Sequence, residues 1–150
     1  MTLEQNQAKF ISVRETLNIA MVYLRNAIAD SKPEKELQSH RDELCRHYDT
    51  DYLSALDDYL KFISVLANKR ESCTRAVSEI VPGLQTMCGF LGMVNHPKLM
   101  ERLPDAAPFR LRKATLDSLF SRTKELVPFR NFKARWKIRK QTKKFTRKET

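Results

Sequence analysis

FISVRETLNIAMVYLRNAIA, residues 10–29, carries apolar side chains at alternating steps of three and four residues. The repeating positions are Phe10, Val13, Leu17, Ala20, Leu24 and Ala27. This spacing puts them on one face of an α-helix that packs lengthwise on its neighbours. The spacing of Thr2 and Gln5 fits a capping box, so we expect a helix over 3–29, about 40 Å long at 1.5 Å per residue.

Two further helices are predicted between this helix and the middle of the chain. Ser31, Pro33 and Glu34 mark the start of a second helix that runs to about residue 48, with Leu37, Leu44 and Tyr48 facing inward. Residues 49–51, Asp-Thr-Asp, are candidate caps for a third. The apolar stripe of the third is predicted at Leu56, Tyr59, Ile63, Leu66, Arg70, Cys73, Val77 and Ile80, and Val81-Pro82-Gly83 is predicted to end it.

A short fourth helix and a basic fifth helix are predicted next. The fourth has apolar residues at Leu84, Met87, Cys88, Leu91 and Val94. Gly89 and Gly92 within it either permit close backbone approach or weaken the helix. Pro104–Pro108 is the best candidate boundary, and a fifth helix fits 108–127. The sequence therefore predicts an all-α fold: a bundle of about four to six helices, two of them long, over 1–104, a basic helix over 105–128 and a basic arm over 129–150.

The composition favours an intracellular protein. The chain begins with a polar, acidic segment unlike a signal peptide, and no apolar run approaches the length of a transmembrane helix. Cys45, Cys73 and Cys88 show no CxxC spacing and are expected to be reduced thiols. We therefore expect a cytoplasmic or nuclear location.

Positive charge is concentrated at one end of the chain. Residues 1–104 hold 13 basic and 14 acidic residues, whereas 105–150 hold 15 and 4. The last 22 residues, FRNFKARWKIRKQTKKFTRKET, contain ten Lys or Arg and one acid. Such a local excess predicts an anionic partner, since Lys and Arg neutralise phosphates and release counterions.

Aromatic side chains interleave with these charges and could stack on unpaired bases or anchor the arm on the bundle. The residues predicted to contact nucleic acid are Arg110, Arg112, Lys113, Arg130, Phe132, Lys133, Arg135, Trp136, Lys137, Arg139, Lys140, Lys143, Lys144 and Arg147. We expect RNA or DNA to be held mainly by its backbone. The same residues would also suit an anionic membrane surface, a groove that binds basic helices, or a nuclear import receptor.

Catalytic and metal-binding motifs are not evident. His40 and His47 stand seven residues apart, two helical turns, which is too far to share a metal. The segment Arg41-Asp-Glu-Leu-Cys-Arg-His47 resembles the R-x4-6-H motif of HEPN ribonucleases, small all-α proteins that cut RNA as dimers. With Tyr48, which follows, that resemblance covers eight positions. It lies in an earlier helix than in the family and implies that Arg41 and His47 activate a ribose 2′-hydroxyl. The alternative is a solvated helix face carrying Arg41, Arg46 and His47.

The prediction from the sequence is a non-enzymatic protein, without metal or cofactor, that binds nucleic acid through its basic C-terminal third. The bundle would serve as a scaffold or as a self-association surface, because its long apolar stripes could continue between subunits. The alternative is an adaptor whose bundle binds a protein partner and whose arm targets an anionic membrane or the nucleus.

Overall fold

The computed structural model describes residues 2–66 and 78–126, with all their side chains except those of residues 66, 120 and 123–126. These ranges contain α1 (Leu3–Ala29), α2 (Glu34–His47), a π-helix (Tyr48–Tyr52), α3 (Leu53–Leu66), α4 (Ile80–Val94), α5 (Pro97–Arg102) and α6 (Ala107–Leu126). They contain no strand, and the predicted all-α bundle is confirmed. The predicted positions Arg70, Cys73 and Val77, and the whole arm, lie outside the described residues.

Helix α1 is the central element of the bundle and has the predicted limits. Thr2 and Gln5 form the reciprocal capping box, with distances of 2.9 and 3.1 Å. The predicted stripe faces the core, since Phe10, Leu17 and Leu24 are fully buried. α1 packs against α2, the π-helix, α3 and α4. Each fully buried side chain of this kind stabilises the fold by about 1.5–3 kcal/mol relative to an exposed one.

The predicted break between the second and third helices is wrong. Residues 34–66 form one uninterrupted helical run, in which the π-helix inserts at 48–52. Thr50 does not cap a new helix, because its hydroxyl donates to the carbonyl of Arg46 one turn back, at 2.7 Å. Tyr48 and Tyr52 on this segment are fully buried. Burial of the two rings on one side holds the segment helical where the polar residues indicated a cap.

The limits of the next helix also differ from the prediction. α4 begins at Ile80 after a turn at 78–79, so Val81-Pro82-Gly83 forms its first turn and ends no helix. Proline is tolerated there because the first amides of a helix lack intrahelical partners. A close approach of the α4 backbone to a neighbouring side chain occurs at Gly83, where an added Cβ would lie 2.7 Å from Cζ of Phe10. At Gly92 an added Cβ would meet nothing within 4 Å.

Five aromatic rings form a continuous path through the core. Phe10 stacks on Tyr59 with ring centroids 5.0 Å apart, and it also meets Tyr52 at 5.8 Å. Tyr52 in turn packs on Tyr48, which stacks on Phe90 at 4.0 Å. The path joins α3, α1, the π-helix and α4. These contacts fix the lateral order of the helices, since aromatic pairs add about 0.5–1.5 kcal/mol each beyond the area that they bury.

Candidate nucleic-acid interface

Helix α6 connects the bundle to the basic C-terminal segment. Its apolar stripe consists of Phe109, Leu116 and Leu119, of which Leu116 is 1% exposed and the other two are partly buried. They place α6 against α4 and α3. Only a narrow apolar contact holds this helix among the described residues, so polar interactions contribute to its position.

Two salt bridges join α6 to the long helical run. The guanidinium of Arg112 donates to both carboxylate oxygens of Asp49, at 2.6 and 3.1 Å, and to the carbonyl of Pro108 at 2.8 Å. Arg122 pairs with Asp57, whose other oxygen lies 2.9 Å from Nζ of Lys61. Hydrogen bonds from Arg122 and then Lys61 lower the pKa of Asp57 below its usual value. The first pair is bidentate, the stronger geometry for Arg and carboxylate.

A buried arginine fixes the connector that precedes α6. Arg41 is 3% exposed, and its guanidinium donates to the carbonyl oxygens of Leu103 and Asp105, at 3.4 and 3.5 Å, and to Oε1 of Gln38 at 3.0 Å. Asp105 accepts from the amide of Ala107 at 3.0 Å, at the first turn of α6. α2 therefore sets the point from which α6 departs.

This arrangement corrects one interpretation of the Arg41–His47 segment. The predicted solvated face is wrong for Arg41, because its guanidinium is buried against backbone carbonyls. His47 is half-buried, with Nε2 3.2 Å from Glu43 and Nδ1 3.2 Å from Asp51. Arg46 is exposed and pairs with Glu43 at 2.6 Å. Arg41 therefore has a structural role in the fold. Its burial could have been predicted from the sequence, because Leu37, Arg41, Leu44 and Tyr48 follow one another at steps of four, three and four residues along the inward face of the helix.

The predicted contact residues on α6 fall into different environments. Arg110 is exposed. Arg112 has an exposed side-chain fraction of only 16% and is engaged by Asp49, so it would have to leave a bidentate salt bridge to bind phosphate. Lys113 is half-buried. Arg112 also lies on the inward stripe with Phe109, Leu116 and Leu119, a spacing visible in the sequence. We therefore leave Arg112 out of the proposed interface.

The other predicted contacts lie outside the described residues. They are Arg130, Phe132, Lys133, Arg135, Trp136, Lys137, Arg139, Lys140, Lys143, Lys144 and Arg147. Within the described ranges, no group of three or more His, Cys, Asp or Glu side chains could hold a metal ion. None of the helices in these ranges is long and apolar enough to cross a membrane.

The fold and the interface define an all-α helical bundle whose last described helix leads into a strongly basic segment. The chain matches no known family model, no curated protein and no solved structure. Its function is therefore inferred from its own charges and contacts.

Proposed function

We propose that this chain is a non-enzymatic nucleic-acid-binding protein, in which the bundle is a scaffold and residues 129–150 hold the phosphate backbone. The observation that carries the proposal is the charge distribution: a net charge of +9 in the last 22 residues, against +1 in the preceding 128. Such density gives sequence-independent affinity through counterion release. A role as a plain solubilising tail would not require Phe and Trp among the charges.

The contacts of α6 support a narrower interface than the sequence suggested. Arg112 and Arg122 are neutralised by Asp49 and Asp57 of the bundle. On the described part of α6, Arg110 is then the exposed basic residue, and the exposed Asp117 offsets it. Phosphate binding is therefore assigned to the residues that follow α6, with Trp136 and Phe132 as stacking or anchoring groups.

The engagement of Arg41 supports the non-enzymatic interpretation over the ribonuclease-like one. A catalytic arginine must reach the scissile phosphate or ribose, whereas this guanidinium is held by two backbone carbonyls and a glutamine. We expect that neither the wild-type chain nor the His47→Ala variant cleaves RNA, and that the substitution leaves RNA affinity unchanged. Loss of an RNA-cleaving activity in that variant would favour the HEPN-like alternative.

A salt titration tests the proposal. Fluorescence anisotropy with duplex DNA, duplex RNA and single-stranded probes should give an affinity that falls with salt, with a log–log slope of about −6 for about seven phosphate contacts. A chain ending at Pro128, which keeps every described residue, should lose this binding. Equal affinity of the full and shortened chains would refute the assignment.

Matched charge variants sharpen the test. Substituting Lys140, Lys143 and Lys144 by Gln should bring the slope to about −3.5, since each lost phosphate contact removes about 0.9. The control replaces three exposed bundle lysines, Lys32, Lys35 and Lys98, by Gln and alters net charge equally. An equal change of slope in both variants would indicate that affinity depends only on the total charge of the chain. That result would contradict the assignment of phosphate binding to residues 129–150.

Trp136 offers a direct readout because it is the only tryptophan. Stacking on bases should quench its fluorescence with single strands more than with duplex. Binding to anionic vesicles with no response to any nucleic acid would instead favour the adaptor, whose arm targets membrane.

A further inference from the structure

The outward face of α1 carries an apolar patch that no described element covers. Ile19 is 55% exposed, Val22 is 40% exposed and Tyr23 is 61% exposed. At 3.6 residues per turn these three lie opposite Phe10, Leu17 and Leu24, which are fully buried in the core. The described part of the predicted apolar stripes packs within the subunit, and a different face of α1 is exposed among the described residues.

Four exposed charged residues flank the patch, and none of them forms an ion pair with another described residue. They are Lys9, Glu15, Arg25 and Asp30. By contrast, the half-buried Arg14 on the inner side of the same helix is paired with Glu79 at 2.9 Å. At 3.6 residues per turn, Glu15 and Asp30 fall within the face that carries the patch. Arg25 lies beyond Val22, on the side of Glu15, and Lys9 lies beyond Tyr23, on the side of Asp30.

These charges are arranged for a second copy of the same helix. In an antiparallel pair related by a two-fold axis, residues at equal distances from the axis lie level, and each edge of one helix meets the same edge of its partner. An axis near residue 20 brings Glu15 level with Arg25 of the other copy, and Lys9 within one residue of Asp30. It also brings Ile19 and Val22 of the two copies together at the centre.

We propose that this chain forms a homodimer through the outer face of α1, packed antiparallel about a two-fold axis near residue 20. Four intersubunit ion pairs would surround an apolar centre of Ile19, Val22 and Tyr23 from both copies. This inference goes beyond the proposed function. It takes up the self-association surface expected from the sequence and is independent of nucleic-acid binding. A contact of one helix per subunit falls at the low end of specific interfaces, below about 1,200 Å² in total, so we expect a weak, reversible dimer.

Sedimentation velocity of the full chain without nucleic acid tests the dimer, at concentrations from about 5 to about 200 µM. The weight-average mass should rise toward twice that of the monomer. Ile19→Asp should keep the chain monomeric throughout this range, while circular dichroism verifies that the helix content is unchanged. The matched control is Leu111→Asp on α6, which changes an apolar side chain that is 72% exposed and should dimerise as the wild type does.

Charge reversal identifies the antiparallel register. Glu15→Arg alone and Arg25→Glu alone should each weaken dimerisation by about tenfold or more, and the double variant should restore it to within about threefold of wild type. The two residues lie about 15 Å apart along one helix, too far to pair within one chain, so rescue can arise only between copies. A wild-type chain that remains monomeric at the highest concentration, a dimer insensitive to Ile19→Asp, or absence of rescue would each overturn the proposal. None of these outcomes would affect the salt titration of the arm.

Discussion

Removing one buried hydroxyl, with Tyr52→Phe, should destabilise the bundle. Tyr52 is fully buried, and its hydroxyl donates to the carbonyl oxygen of Gly83 in the first turn of α4. Burial raises the pKa of Tyr52 well above its usual value, so the group remains a protonated donor at any ordinary assay pH. The substitution keeps the ring and its stacking partners and removes only this hydrogen bond.

The magnitude follows from the net value of a buried hydrogen bond. An intramolecular bond between neutral groups contributes about 0.5–1.5 kcal/mol. We expect Tyr52→Phe to lower the free energy of unfolding by about 1 kcal/mol and to lower Tm by about 3–5 °C in a domain of this size. Urea unfolding followed by circular dichroism at 222 nm measures the change, provided that the m-value stays constant.

Tyr48→Phe is the matched control, one helical turn away. Tyr48 is equally buried and stacks on Phe90, but its hydroxyl has no hydrogen-bond partner among the described residues. Burying an unpaired hydroxyl costs about 1–3 kcal/mol, so its removal should leave stability unchanged or raise it. The reasoning fails if Tyr48→Phe destabilises the chain as much as Tyr52→Phe, because hydrogen bonding would then not explain the difference.

Three further changes probe the packing of α4 and the attachment of α6. Gly83→Ala places a methyl group 2.7 Å from Cζ of Phe10, whose ring is stacked on Tyr59 and cannot move freely. Urea unfolding should show a net loss of about 1–2 kcal/mol in the free energy of unfolding, because the steric cost exceeds the gain in helix propensity from Gly to Ala. Gly92→Ala, with open space at the Cβ, should stabilise by up to about 1 kcal/mol, and a loss there would contradict the packing argument. Hydrogen bonding from Arg122 lowers the pKa of Asp57 in the folded chain. The ionised carboxylate therefore contributes its full stabilisation above the unfolded-state pKa of about 4. This contribution is lost as the pH falls through the lower folded-state pKa. Asp57→Asn should therefore cost about 0.5 kcal/mol at pH 7, a small figure because the pair is partly exposed, and the difference from wild type should vanish toward about pH 2; a constant difference would point to a non-electrostatic cause.

The sequence was sufficient for elements whose signals are local. α1 was predicted to the residue, since the capping box of Thr2 and Gln5 and the three-four repeat both belong to that one helix. The start of α6 was predicted within one residue. Its position on the bundle was not predictable, because the partners of Arg112 and Arg122 lie more than 60 residues away in the chain.

The errors arose where one residue type serves two purposes. Asp49 and Thr50 are typical of a helix cap and equally of an exposed helix face, and burial of Tyr48 and Tyr52 selected the second. Arginine is usually assigned to the surface. Arg41 is nevertheless buried at an inward position of its helix, because its long side chain can reach the carbonyl oxygens of the connector before α6.

The partly buried arginines and the basic arm differ in what balances their charge. Burying a guanidinium is costly unless carboxylates or carbonyls surround it. Accordingly Arg14 and Arg112 are matched by Glu79 and Asp49, and Arg41 by carbonyl oxygens. A polyanion could recruit these groups only by breaking these contacts.

The last 22 residues hold one acid against ten bases and cannot balance their own charge. The rest of the chain, nearly neutral in total, offers no comparable excess of acid. Counterions therefore balance the net charge of +10 of the free protein, of which this segment carries +9. A phosphate backbone that displaces them gains the entropy of their release, which is why affinity should weaken steeply with salt.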